Sequence, residues 1–320
     1  MSKIKDTIKD SLFYGKILLF GEYGVIEDSM ALSIPFNNYQ GHFIFHSEDQ
    51  VFAKESNTHL QQYCEYLIEL DSKNDLPCSL DLSQFQKDIT EGMLFDSSIP
   101  QGYGVGSSGA LVAAIYNKYA TEKISEKNIE NGNILTLKQI FGKLESYFHG
   151  TSSGLDPLIC YLNLPLLIKS KSELESVGIP LTSESSNSKG GIFLLNTGQV
   201  GKTAPLVEHF MERCKEEGFR NMIKTQFKKY NDASISAFLK KDGKSLMSNV
   251  KGLSSILLEH FKPMIPTIYQ KLWQDGIDSN AYYLKLCGSG GGGFILGFTE
   301  DLEEAQVKLK DYNLDIIYRF

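Results

Sequence analysis

Residues 100–110, Pro-Gln-Gly-Tyr-Gly-Val-Gly-Ser-Ser-Gly-Ala, place four glycines and two serines in eleven positions and run without a break into Leu111-Val-Ala-Ala-Ile-Tyr116. That continuation reads as the first turns of a helix. Glycine is favoured where the backbone takes φ > 0 or where something must approach it closely. A glycine-rich loop that opens a helix presents unpaired N–H groups together with the positive end of the helix dipole, which is an anion site. Phosphate is the expected ligand. A surface loop leading into a tightly packed small-residue helix is the structural alternative.

Composition limits what such a loop can serve. A chain of 320 residues has room for a sizeable core and two domains. Its hydrophobic share of 42% and charged share of 22% are those of an ordinary soluble globular protein. A formal net charge of -7 argues against nucleic acid or a membrane surface as a general partner, so a phosphate site has to be built locally. The first residues contain no apolar run of signal-peptide type, and no stretch approaches the roughly 20 apolar residues of a membrane span. Five scattered cysteines with no C-x-x-C pair read as reduced thiols in a cytoplasmic protein without a cysteine metal site. Six histidines without H-E-x-x-H spacing argue against a zinc enzyme.

Taken in order, residues 15–26 begin with an apolar strand, Gly15-Lys-Ile-Leu-Leu-Phe, and turn at Gly21-Glu22 into a second apolar run. Lys16 and Glu22 bracket the strand; a hairpin carrying two solvated charges is the plain reading. Strands are expected at 31–36, 41–46 and 51–54, then a helix over 58–70 with Leu60, Tyr63, Leu67 and Leu70 on one face, and a strand over 84–94 leading into the glycine loop. A polar turn at 121–133 precedes a helix over 137–148. It ends in Glu145-Ser-Tyr-Phe-His-Gly-Thr-Ser-Ser-Gly-Leu-Asp-Pro157, a second small-residue loop with Glu145 and Asp156 eleven residues apart. Asp156 before Pro157 can equally be an N-cap with Pro at the first helical position.

Strands are expected at 161–169 and 191–195, separated by a Ser/Glu/Lys-rich stretch at 170–189 that marks the domain boundary. Helical patterns cover 204–217, 222–240, 244–261 and 264–275. A strand, a glycine run and a strand fill 284–298; a helix at 302–310 and a strand at 316–318 close the chain. Strands first and helices later indicate an α+β fold. Asn196-Thr-Gly-Gln-Val-Gly-Lys-Thr203 nearly fits G-x-x-x-x-G-K-[ST], with Asn196 in place of the first glycine. In that reading Lys202 would reach the β/γ phosphates and Thr203 would ligate Mg²⁺. No parallel α/β array and no Walker-B strand follow, which argues against it.

Three segments together resemble the GHMP kinases, the superfamily of galactokinase, homoserine kinase, mevalonate kinase and phosphomevalonate kinase. They are Gly15-Lys-Ile-Leu-Leu-Phe-Gly-Glu22, the loop at 100–110, which is similar to P-x-x-x-G-L-G-S-S-A-A, and the glycine-rich strand turn at 285–296. Their order and their spread over nearly the whole chain make the resemblance specific. His149-Gly-Thr-Ser-Ser-Gly-Leu-Asp156 is similar to the mevalonate kinase signature H-G-x-P-S-G-x-D, and Asn196-Thr-Gly with Thr203 resembles the segment that follows it.

The resemblance implies a two-lobed GHMP kinase fold: an N-terminal α/β lobe, 1–185, related to a ribosomal-protein domain, and a C-terminal ferredoxin-like lobe, 186–320, with the active site between them. It implies transfer of the γ-phosphate of ATP to a small-molecule alcohol, most closely the 5-hydroxyl of mevalonate. Gly102, Gly104, Gly106, Ser107, Ser108 and Gly109 would wrap the nucleotide phosphates. Ser108 with Glu145 would hold Mg²⁺, Ser107 being the adjacent candidate. Asp156 would accept the hydroxyl proton, and Lys16 would sit near it and offset charge on the transferring phosphate. Glu22, Tyr23, His149, Ser153 and Thr203 would face the acceptor. Oligomeric state stays open, a homodimer included. Tyr23 stands where a histidine is usual, Val105 for Leu, Gly109 for Ala, Ser152 for Pro and Cys287 for Thr. The Tyr23 departure bears on the acceptor and leaves open a kinase for phosphomevalonate, a sugar or an amino-acid alcohol. A diphosphomevalonate decarboxylase and a silent nucleotide-binding relative stay open as well.

Overall fold

A computed structural model describes residues 11–125, 131–170, 172–180 and 189–320. Part of the expected polar turn at 121–133, residues 171 and 181–188 of the 170–189 boundary stretch and the extreme N-terminus lie outside these residues. Among the described residues the chain divides into two compact units, the first formed by 11–15, Pro35–Pro100 and Gly106–Asn163, the second by Lys16–Ile34, Gln101–Val105 and Leu164–Phe320. The division falls inside the glycine loop, between Val105 and Gly106.

Strand β1 (Phe13–Phe20) does not open a hairpin. Gly21, at φ 109°, turns the chain so tightly that a Cβ there would lie 2.3 Å from the Ala31 Cβ. A 3-10 turn, Gly24–Glu27, replaces the expected second run. Strand β2 (Ala31–Ile44) is one strand where two were expected. It pairs with β4 over residues 31–33 and with β3 over residues 41–44, so the missing donor of Pro35 falls between the β4 and β3 ladders.

In the first unit, α1 (Gln50–Ser72) and α2 (Leu82–Thr90) precede β3 (Leu94–Ser97). Residues 51–54 and 84–90 were expected as strands. The first is the opening turn of α1 and the second most of α2, and each helix start is fixed by a cap: Asp49 accepts from the amides of Val51 and Phe52, and Asp81 from that of Gln84. Helix α3 (Ser107–Tyr119) is buried over most of its circumference, which its small residues permit. It packs on α4 (Asn131–His149) and α5 (Leu155–Leu162), with the Tyr116 ring 5.1 Å from Phe141 and 5.3 Å from Tyr161. The N-cap of α5 is Gly154, so Asp156 and Pro157 lie inside its first turn and Asp156 is not the cap. The strand expected at 161–169 is thus the end of α5 followed by β4 (Leu166–Ser170).

In the second unit, β4 and β5 (Glu173–Ser176) continue the sheet order β1-β2-β4-β5, and a second sheet runs β7-β8-β6-β9. The latter is built from β6 (Gly191–Asn196), β7 (Tyr283–Leu286), β8 (Phe294–Thr299) and β9 (Leu314–Arg319), and β6 is antiparallel to both neighbours. Helices α6 (Thr203–Arg213), α7 (Glu217–Met222), α8 (Lys228–Leu239), α9 (Gly243–His260), α10 (Thr267–Ser279) and α11 (Leu302–Lys308) complete it, with a π-turn, Ile223–Phe227, joining α7 to α8. Trp273 is fully buried and its indole donates to the Ser254 carbonyl at 3.1 Å. The cysteines are free thiols. No described helix is long and apolar enough to cross a membrane.

Candidate active site

The first unit brings the loop helix and the second small-residue loop into contact. Gly106, left-handed at φ 85°, is the N-cap of α3, and no side chain caps that helix. Its first amides therefore have neither an intrahelical acceptor nor a capping group and can serve an anion. Gly109 lies on the backbone of Asp156: a Cβ there would sit 2.8 Å from the Asp156 carbonyl carbon and 2.9 Å from the Pro157 nitrogen. The opening turns of α3 and α5 thus touch, and Asp156 is half-buried beside them.

Ser108 Oγ donates to Glu145 Oε1 at 3.0 Å, and the other oxygen of that carboxylate accepts from Ser152. Glu145 is buried. His149, four residues further along α4 and exposed, places Nε2 3.1 Å from Ser108 Oγ. Ser152 also accepts from the Gly154 amide at 3.0 Å, which fixes the turn before α5. Gly142 allows that loop to lie on α4, since a Cβ there would be 3.1 Å from the Ser152 carbonyl oxygen. Ser153 remains exposed, its hydroxyl 3.4 Å from the Leu155 amide. Ser107 opens α3 beside it, but it is Ser108 that meets Glu145. Among the described residues no group of three or more His, Cys, Asp or Glu could hold a metal. One carboxylate with two hydroxyls is nonetheless a set of hard oxygen donors suited to Mg²⁺ when phosphates supply further ligands.

The second unit gathers the remaining sites. Lys16 is 3% exposed, and its amide donates to the Val105 carbonyl at 2.9 Å, joining β1 to the glycine loop. Gly102 and Gly104 are both left-handed, at φ 76° and 78°. A Cβ on Gly104 would lie 2.8 Å from the Cys287 carbonyl oxygen, and one on Gly293 would lie 2.5 Å from the Tyr103 Cα. The third glycine segment and the first half of the loop therefore interlock backbone to backbone.

The near P-loop is part of the same knot. The Gly201 amide donates to the Gly102 carbonyl at 3.0 Å, and the Thr197 hydroxyl donates to that of Gly293 at 2.7 Å. Lys202 is exposed. Thr203 begins α6 and accepts from Ser289 Oγ at 3.1 Å. The strand before it is antiparallel to its neighbours, unlike the parallel strand of a P-loop fold.

Glu22 is 2% exposed and salt-bridged to Lys285, which is 0% exposed. Burial pushes the Glu22 carboxyl above its usual range and the Lys285 ammonium below its own, each opposed by the partner's charge. Tyr23 donates to the Ser289 carbonyl at 2.7 Å. Lys285 and Ser289 were not singled out from the sequence, and Ser152 was noted only as a departure from the resembling signature. The available signal was Lys285 itself, a lone charge inside the apolar run Leu284-Lys-Leu.

The start of α3 has no side-chain cap, with a hydroxyl–carboxylate cluster at one side and an acid at the other. Residues 74–163 match the family model described as GHMP kinases N terminal domain. No curated protein matches the sequence. The solved structures it resembles extend over nearly its full length and give the whole chain the GHMP kinase fold. Mevalonate kinase of L. major in complex with R-mevalonate has 18% identity and a TM-score of 0.59, covering 95% of this chain and 91% of that one. Streptococcus pneumoniae phosphomevalonate kinase in complex with phosphomevalonate and AMPPNP has 13% identity and a TM-score of 0.63, covering 97% and 99%. Lactococcus lactis galactokinase complexed with galactose has 13% identity and a TM-score of 0.64, covering 99% and 94%.

Proposed function

We propose that the chain is a kinase that transfers the γ-phosphate of ATP to the hydroxyl of a small-molecule alcohol, with mevalonate as the first acceptor to test. The observation that carries the reading is the contact of Gly109 with the Asp156 backbone. It sets a carboxylate beside a helix start whose amides are open to phosphate, with the Ser108–Glu145–Ser152 cluster on the same helix start. Mg²⁺, held by Ser108 and Glu145, would neutralise charge on the nucleotide phosphates. The amides of Ser107, Ser108 and Gly109 orient the phosphates through hydrogen bonds and the dipole of α3.

Asp156 takes up the acceptor's proton. A carboxylate with an ordinary pKa of about 3.9 is too weak to strip an alcohol beforehand. In a loose phosphoryl-transfer transition state the proton leaves late, so placing the acid correctly is enough. Ser152 and Gly142 fix the turn that places it, and Ser153, exposed at that turn, is an acceptor contact.

Mevalonate is favoured by the resemblance of His149–Asp156 to the mevalonate kinase signature. Tyr23 favours a second reading, the same reaction on another alcohol, because its hydroxyl is engaged by Ser289 and no imidazole is present. An ADP-release assay with mevalonate, phosphomevalonate, homoserine and galactose separates these readings, and CO₂ release would identify a decarboxylase instead. Asp156→Asn should lower turnover by about 10²–10⁴-fold while ATP affinity stays near that of the parent. Full activity in that variant removes Asp156 from the chemistry.

A further inference from the structure

Within the second unit, the dipeptide ending the first motif is bound twice to the third glycine segment. Glu22 meets Lys285 at the start of that segment. Lys285 also donates to the Leu286 carbonyl at 3.0 Å and lies 5.6 Å from the Phe20 ring. One residue on, the Tyr23 hydroxyl donates to the Ser289 carbonyl at the middle of the segment, and Ser289 Oγ passes the chain of bonds to Thr203.

Tyr23 adopts a left-handed backbone at φ 57°, a conformation that bulky residues keep only where their surroundings enforce it. Here the ring is fixed 4.8 Å from Phe210 and 5.7 Å from Phe261. The segment so held reaches Gly104 through the Cys287 carbonyl and Tyr103 through Gly293.

Both side chains already hold protein partners. Glu22 Oε1 is taken by Lys285, and Oε2 is buried with no partner among the described residues. Swinging the carboxylate out would leave a buried ammonium alone, which is strongly unfavourable. Burial, with the adjacent Glu22 charge, pushes the Tyr23 phenol well above its usual value, so it remains a protonated donor to Ser289. An imidazole at this position is shorter than a phenol and would not reach that carbonyl from the same backbone.

We propose that Glu22 and Tyr23 are positioning residues: together with Lys285 they clamp the third glycine segment onto Gly102–Gly104 and so set nucleotide affinity, without touching the acceptor. The inference rests on the kinase reading through the nucleotide role given to Gly102 and Gly104.

Tyr23→Phe deletes one hydrogen bond and keeps the ring. ATP binding, titrated without acceptor, should weaken by roughly 5-fold, with the KM for ATP rising in step, the KM for the acceptor unchanged and the melting temperature close to the parent's. A raised acceptor KM with unchanged ATP affinity, or no change in either, overturns the clamp. The charged half is tested in the double variant Glu22→Gln/Lys285→Met, which replaces a buried pair by neutral side chains of similar size. It should bind ATP more weakly and show faster amide exchange at residues 288–293. Parental affinity and exchange in the folded double variant overturn the proposal, and if that variant does not fold, Tyr23→Phe decides alone. A parent protein that binds no ATP would sink the kinase reading instead. Amide exchange at residues 288–293 in Tyr23→Phe then judges the clamp by itself, faster exchange supporting it and unchanged exchange overturning it.

Discussion

A methyl group at Gly109 would have to occupy space held by backbone, 2.8 Å from one carbonyl carbon and 2.9 Å from the next nitrogen. Backbone cannot rotate away as a flexible side chain can, so helices α3 and α5 would have to part. Gly109→Ala should cost about 1–3 kcal/mol of stability, read by denaturant unfolding, and should lower turnover because Asp156 rides on the displaced turn. The resembling motif has alanine here, so parental stability and activity in this variant would show that α3 and α5 can separate without harm. At this scale the sequence was informative where small residues and acids cluster. Ser108, Glu145 and Asp156 stand in or beside glycine- and serine-rich loops, and the structure brings Ser108 onto Glu145 and Gly109 onto the Asp156 backbone. For Lys285 the sequence offered only a lone charge in an apolar run, and for Ser289 nothing, because what gives them meaning lies far off in the chain: 263 residues separate Glu22 from Lys285.

Elements were legible where a helical face repeats over several turns, as in α1 from Leu60 to Leu70, and were misread where a cap decides. Val51-Phe-Ala and Phe85 to Ile89 carry side chains that strands favour, yet one carboxylate at each start commits the backbone to a helix. Asp242 does the same for α9 and accepts from the Ser245 hydroxyl and the Ser245 amide, which together hold its carboxyl below the usual aspartate range. A depressed folded value means that the contribution is fully present above the unfolded value of about 3.9 and drains away as pH falls towards the lower folded one. Asp242→Asn keeps an oxygen for the cap but cannot titrate. Its melting temperature should therefore fall less steeply than the parent's between about pH 5 and pH 2, a difference that calorimetry across that range would reveal or refute.

At the scale of the molecule, a nucleotide that binds only the folded chain must raise its stability. At 100 times its dissociation constant, ATP with Mg²⁺ contributes about 2.7 kcal/mol, or roughly 4 °C in melting temperature for a chain of this size. A chelator should remove much of that shift, and in Glu145→Gln the Mg²⁺-dependent part should disappear while the remaining ATP shift persists. An equal response to the metal in that variant would release Glu145 from its assigned role. The two-lobed architecture was legible from the order of three glycine segments. The discontinuous make-up of each unit was not, because it depends on which strands pair rather than on local pattern.

That make-up governs the order in which the protein can be completed. Residues 31–33 of β2 are paired with residues 166–168 of β4. During translation the earlier strand is made roughly 7 to 27 seconds before its partner, at synthesis rates of about 5–20 residues per second. For that interval an edge rich in apolar side chains has no mate, and a nascent chain stalled there would be a natural client for a chaperone that binds extended hydrophobic segments.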